Sequence, residues 1–348
     1  MRSAGWLLAA FVMVAGCGAP GSPSPTSLPA SPPESAAPIP TELSLGQTFA
    51  LVDDPAIGRV VLVNGATEQG PDRPTELWTW SGSAWELLNA SGPPARSFAA
   101  VARDPVRGTI VIHGGLPSGG GIGDGIDETI EWDGREWSVH AAAGTGPGPR
   151  EGAGLAFDAA AGQLVLFGGS VGSDQQQDTW MWDGATWALV AETGPSPRFV
   201  SLMAEDRSTG GIVLHGGHWV DGNEGDFLAD TWQWDDGAWQ EAAGGGPGPR
   251  VNAPGTWDER LEGVVMFGGG TGLDAPFGAD GWLWDGEWAE LPTDAGPSAR
   301  NGHALAFDSA RGVLVLVGGI DRPGGTQVLD VWERDADGWR EVLAPATG

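Results

Sequence analysis

Short aliphatic runs recur along the chain, each ending in a small pair: VVLVNG, TIVIHGG, LVLFGG, IVLHGG, VVMFGG and VLVLVGG. The second residue of the pair falls at 65, 115, 169, 217, 269 and 319, so the spacings are 50, 54, 48, 52 and 50 residues. Ahead of the runs lie LVDDPAIG, VARDPVRG, AFDAAAG, MAEDRSTG, TWDERLEG and AFDSARG, in which an Asp four or five residues before a Gly marks a tight turn. After the runs come ELWTWSGSAW (76–85), ETIEWDGREW (128–137), DTWMWDGATW (178–187), DTWQWDDGAW (230–239), DGWLWDGEW (280–288) and DVWERDADGW (330–339). Helical periodicity is absent, so each unit is predicted as four short strands and the body as all-β. Trp180 and Trp182, two apart, share one strand face, and Asp183-Gly184 reverses the chain into the last strand.

Repetition at this period is the mark of a quasi-symmetric array. The Gly-Gly, the acidic-aromatic strand and the spaced Trp resemble kelch repeats, over about residues 45–345. That resemblance implies a six-bladed β-propeller with four antiparallel strands per blade, the blades spanning about 45–92, 93–146, 147–194, 195–246, 247–296 and 297–345. Two units depart from it: Asn64-Gly65 replaces Gly-Gly, and Arg334 stands where the second Trp belongs. Both end units look complete, so strand exchange at ring closure is not required. The segment ELSLG (42–46) is a candidate addition to an outer edge.

The amino terminus carries different information. Arg2 precedes an apolar run, Trp6–Gly16, too short to span a bilayer and of signal-peptide length. It ends in Val14-Ala15-Gly16-Cys17, which resembles a bacterial lipoprotein signal and implies cleavage before Cys17 and its lipidation. Cys17 is the single cysteine, which excludes a disulfide within the chain. A Pro/Ser/Ala-rich linker (17–44) then leads into the propeller (45–348). The location expected is extracytoplasmic and lipid-anchored to a bacterial membrane, with plain secretion as the alternative.

Composition narrows the partners. Every basic side chain is arginine, 17 in all with no lysine, against 46 acids, for a net charge of −29. Nucleic acid is therefore not expected as a partner. Sixteen of the 19 tryptophans occupy repeat positions and read as packing between blades. The acid two residues before the first position of the Trp pair (Ile130 in unit 2) recurs in all six units (Glu76, Glu128, Asp178, Asp230, Asp280, Asp330) and reads as an acceptor for backbone N–H groups beside Gly-Gly. Sixfold equivalence argues against general acid catalysis there.

Arg96, Arg150, Arg198, Arg250 and Arg300 open five units, whereas unit 1 has SLGQT (44–48) instead. Two readings stand for them. They form a channel rim that binds a carboxylate, phosphate or acidic peptide, a use of Arg that the kelch resemblance also implies; or each pairs with an acid or carbonyl of the next blade. The residues after them (Ser97, Glu151, Phe199, Val251, Asn301) differ between units, as one asymmetric site would require. The longest loop, 218–230, holds the extra-repeat Trp219, a candidate for sugar stacking or for covering a blade edge. It also holds Asp221, Asn223 and Asp226, a weak Ca²⁺ candidate without EF-hand spacing. His215 and His218 suggest a transition metal. Yet His113, Phe167 and Phe267 occupy the place of His215, which favours packing.

Kelch repeats are also described as galactose-oxidase-like, and that resemblance would bring a copper-radical site with a Tyr cross-linked to Cys. The chain has no Tyr, which excludes this site and a sialidase nucleophile alike. No catalytic residue and no cofactor is assigned. The expected function is binding of a protein or glycan; the alternative is a carbohydrate-active enzyme, mutarotase- or lyase-like.

Overall fold

The computed structural model describes residues 43–344, less 47, 66–72, 122, 142–143, 222–223, 273–274 and 293–294. The signal segment, Cys17 and the linker up to residue 42 lie outside the described residues. Six four-stranded antiparallel sheets follow one another along the chain. In the third they are Gly154–Asp158, Gln163–Phe167, Thr179–Trp182 and Trp187–Ala191, innermost to outermost. The innermost strands, beginning with Phe49–Asp54 and ending with Ala304–Asp308, surround a central channel. The protein is a six-bladed β-propeller.

Each blade is built by the same local devices. The turn aspartate closes the inner hairpin: Asp158 Oδ1 accepts from Ala161 N at 2.8 Å, and Gly162 takes φ 68°. At the other end of the second strand Gly168 and Gly169 both adopt positive φ, and Gly169 N donates to Arg198 O of the next blade at 2.8 Å. A Cβ on Gly169 would sit 2.9 Å from Ala153 N and Glu151 O, so the residue must be glycine for the chains to meet.

Packing between blades rests on tryptophan, as its recurrence predicts. The second Trp of each pair is buried and reaches the preceding blade. Trp234 Nε1 donates to Asp158 Oδ2 at 2.9 Å and Trp284 Nε1 to Asp206 Oδ2 at 3.3 Å. In blades 2 and 6 an arginine three residues after the turn aspartate occupies that acceptor: Arg107 Nε donates to Asp104 and Arg311 Nε to Asp308. There a glutamate on the third strand takes over. Trp182 Nε1 donates to Glu131 at 2.7 Å and Trp80 Nε1 to Glu333 at 2.9 Å, and the same arginines pair with these glutamates. Arg334 replaces the Trp in blade 6 without disturbing register, pairing with Leu314 and Trp339 as Trp182 pairs with Leu164 and Trp187.

The ring closes without strand exchange. One apolar cluster joins Leu51, Val60, Leu62 and Trp78 of blade 1 to Ala304, Val315 and Val317 of blade 6. Of the candidate edge addition 42–46, the described residues 43–46 add no strand; they form a strap over this junction. Leu43 is buried in the joint cluster, Asn64 Oδ1 accepts from Gly46 N, and Asn64 Nδ2 donates to Ser44 O, both at 2.9 Å. Gly46 precedes Asn64 by 18 residues, the interval that separates each unit's Arg from its first Gly. In unit 1, therefore, an amide side chain bridges the interval that a guanidinium bridges elsewhere.

His113 and His215 are packing residues. Trp288 Nε1 donates to Thr231 Oγ1 at 2.9 Å, this hydroxyl meets His215 Nδ1 at 2.9 Å, and Nε2 meets Gly248 O at 3.1 Å. His113 repeats the chain with Trp187, Thr129 and Gly148. Burial holds His113 and His215 down to about 4 and His303 to about 3. Because the folded form refuses protons that the unfolded chain takes up near pH 6.5, these histidines support the fold fully above that pH. That support drains away as pH falls toward 4, by up to about 1.4 kcal/mol per unit for each histidine. Urea midpoints measured from pH 7 to pH 4.5 should fall steeply, and less steeply in His215→Phe, a residue already tolerated at Phe167 and Phe267. Equal slopes would contradict this origin.

Candidate functional site

The arginines answer the first functional question. Arg96, Arg150, Arg198, Arg250 and Arg300 are all buried, with exposures of 1–7 %. Each pairs with the recurring acid of its own blade, not of the next. Arg150 grips Asp178 at 2.6 and 2.7 Å, Arg198 grips Asp230 at 2.8 and 2.7 Å, and Arg300 grips Asp330 at 2.8 and 2.9 Å. Arg250 meets Asp280 at 2.5 Å, and Arg96 meets the more exposed Glu128 at 3.4 Å. Four of the five also donate to the carbonyl of the first Gly, for example Arg198 to Gly216 O at 3.0 Å. The expected acceptor role of the acids is thereby corrected. Their side chains receive Arg and the indole N–H two residues on, such as Trp180 to Asp178 at 2.8 Å, while their backbone carbonyls receive the Gly N–H. These guanidiniums are committed to partners within their own blades and form no open rim.

A different set of residues surrounds the channel at this end, here termed upper. Two positions past each arginine the backbone turns left-handed: Phe98 (φ 53°), Gly152 (64°), Val200 (52°), Asn252 (48°) and Gly302 (66°). Their amides and carbonyls link round the axis, Gly152 N to Phe98 O at 2.7 Å, Val200 N to Gly152 O at 2.8 Å, Asn252 N to Val200 O at 3.0 Å, and Gly302 N to Asn252 O at 3.2 Å. Thr48 completes the series, its Oγ1 accepting from Phe98 N at 2.6 Å. The collar borders a vestibule of about 250 Å³. A left-handed β-branched residue such as Val200 is strained, and three of the five positions carry a side chain despite the cost. Position 303 adds a buried histidine where blades 2 to 5 have Ala99, Ala153, Ser201 and Ala253. Sequence patterning missed this ring, because left-handed geometry at a non-glycine leaves no compositional mark.

Around the collar, the residues after each arginine bridge to the residue following Gly-Gly: Glu151 to Ser170, Phe199 to His218, Val251 to Gly270, Asn301 to Ile320 and, within a short ladder, Ser97 to Leu116. The long loop folds back as a ribbon, His218–Asp221 against Glu224–Phe227, with half-buried Trp219 opposite Asp226. His218 stacks between Phe199 and Phe227 at 5.4 and 4.8 Å. Gln175 ties the ribbon to blade 3, accepting from Val220 N at 2.8 Å. Of the weak Ca²⁺ set, Asn223 lies outside the described residues and Asp226 is exposed, accepting from Phe227 N. No cluster of metal-binding side chains occurs among the described residues.

At the opposite, lower end lies a second vestibule of about 210 Å³. Leu51, Val101, Leu155, Met203, Gly255 and Leu305 line both cavities and form the waist between them. No known protein-family model matches the chain, and no curated protein is significantly similar to it.

Proposed function

We propose that the chain is an extracytoplasmic propeller of the kelch type, anchored by lipid at Cys17, that binds a protein or glycan at its upper mouth. A β-propeller fits a binding module in general. The observation that carries the finer reading is the collar. Three non-glycine residues held at positive φ, Phe98, Val200 and Asn252, present apolar, branched and amide side chains around one opening on an otherwise repetitive frame. Strain retained at such a place marks a surface kept for what it contacts. A mutarotase- or lyase-like enzyme would need a general acid or base at its substrate, whereas no acidic residue lines the upper vestibule and its titratable lining residue, His303, is buried.

Glycan arrays and pull-downs with wild-type chain and Val200→Gly test this reading. Glycine relieves left-handed strain by about 1 kcal/mol, so the variant should melt no lower than wild type by more than a degree or two while binding falls at least about tenfold. Equal binding by both would remove the collar from the site. Mass spectrometry showing an unmodified Cys17 would remove the anchor.

A further inference from the structure

The residue immediately before each turn aspartate lines the lower vestibule: Asp53, Arg103, Phe157, Glu205, Trp257 and Phe307. The turn aspartates repeat six times, but these neighbours vary: three are aromatic, two acidic and one basic. In ring order Glu205, Trp257, Phe307 and Asp53 belong to blades 4, 5, 6 and 1, so two aromatic rings stand between two carboxylates.

The charges there are unevenly spent. Arg103 donates to the buried Asp54 at 3.1 Å. Arg207 bridges Glu205 at 3.0 Å and Glu259 at 2.8 Å. Asp53 accepts from Ser309 N at 3.2 Å and has no ion-pair partner among the described residues. Burial raises its carboxyl above the usual carboxylate range, with Asp308 adding to the shift while Ser309 and Arg207 oppose it. A half-buried carboxylate that lacks a cation, at the wall of an aromatic cavity, is short of one counter-ion. The aromatic wall can receive that cation too. Phe307 already holds the Arg260 guanidinium 5.3 Å from its ring centroid, and indole faces attract cations more strongly than phenyl. The chain has no lysine of its own to offer.

We propose that the lower vestibule binds a small organic ammonium ion with an apolar body, with Asp53 as its counter-ion and Trp257 and Phe307 against its methylene or aromatic part. This site is separate from the collar and independent of the reading given to it. Free inorganic anions find no open cation here, since both lining arginines are paired. A neutral sugar could stack on Trp257, but it would draw nothing from the charge of Asp53.

Calorimetric titration of the full chain with benzylammonium, benzyl alcohol and methyl galactoside separates these outcomes. Benzylammonium should bind saturably and benzyl alcohol at least about tenfold more weakly. Asp53→Asn keeps the Ser309 bond and the melting temperature while weakening benzylammonium about tenfold or more. Trp257→Leu should weaken it as well, and Val200→Gly at the far mouth should leave it unchanged. Equal binding of benzyl alcohol or of the galactoside would overturn the proposal. So would an unaffected Asp53→Asn, a Val200→Gly variant that loses binding, or no saturable benzylammonium binding at all.

Discussion

Arg198→Ala should destabilise the propeller by about 3–5 kcal/mol and lower its melting temperature by about 10 °C. The side chain is fully buried, grips both oxygens of Asp230, and donates to Gly216 O and Ser196 O. Truncation opens a cavity and strands a carboxylate that is itself mostly covered, the costlier half of breaking a buried pair. Arg198→Lys should recover less than half of the loss, because one ammonium cannot reproduce a planar two-bond grip. In a double-mutant cycle with Asp230→Asn, calorimetry should return a coupling of about 1.5–3 kcal/mol. Additive losses would show that the ion pair is incidental and that the guanidinium serves only to fill space.

The second large effect concerns the tryptophan that reaches the preceding blade. Trp234→Ala should cost about 4–5 kcal/mol: the side chain is 0 % exposed, and its N–H donates to Asp158, which has no ion-pair partner among the described residues. Trp234→Phe, which keeps most of the packing, should cost about 2 kcal/mol. Blade 2 provides an internal control. Trp132 occupies the matching strand position and is also buried, but its Nε1 has no hydrogen-bond partner among the described residues. Asp54, the acceptor it would use, is engaged by Arg103 instead. Trp132→Phe removes an orphaned donor and should be neutral or slightly stabilising. Chemical denaturation of the three variants side by side distinguishes an indole that acts as a bonded tie from one that acts as filler. Equal costs for both Phe variants would refute the distinction.

The ring of blades was legible from the chain because each of its devices repeats: the Asp turn, Gly-Gly and the Trp pair recur six times, and recurrence separates signal from chance. The same redundancy misled the functional reading. Arg96 to Arg300 drew attention as one set, yet a residue needed in every blade is needed for the blade, and all five are enclosed. Trp219, conspicuous because it does not repeat, and His218, a metal candidate beside His215, both lie in a ribbon, with His218 packed between two phenylalanines. The residues that line the two vestibules escaped notice for opposite reasons. Val200 and Asn252 lie two places beyond a conspicuous Arg, in a backbone conformation that composition does not reveal. Asp53, Glu205 and Trp257 sit directly beside the conspicuous turn aspartates and were absorbed into that motif. Their one visible sign is variation at a fixed position next to an unvarying one.

The strap at residues 43–46 couples ring closure to the upper mouth. It lies over the seam between blades 6 and 1, at the end where the collar lies, and leads within two residues to Thr48 of that collar. One stretch of chain thus latches the ring and completes the collar, so loosening the seam between blades 6 and 1 loosens the upper mouth with it.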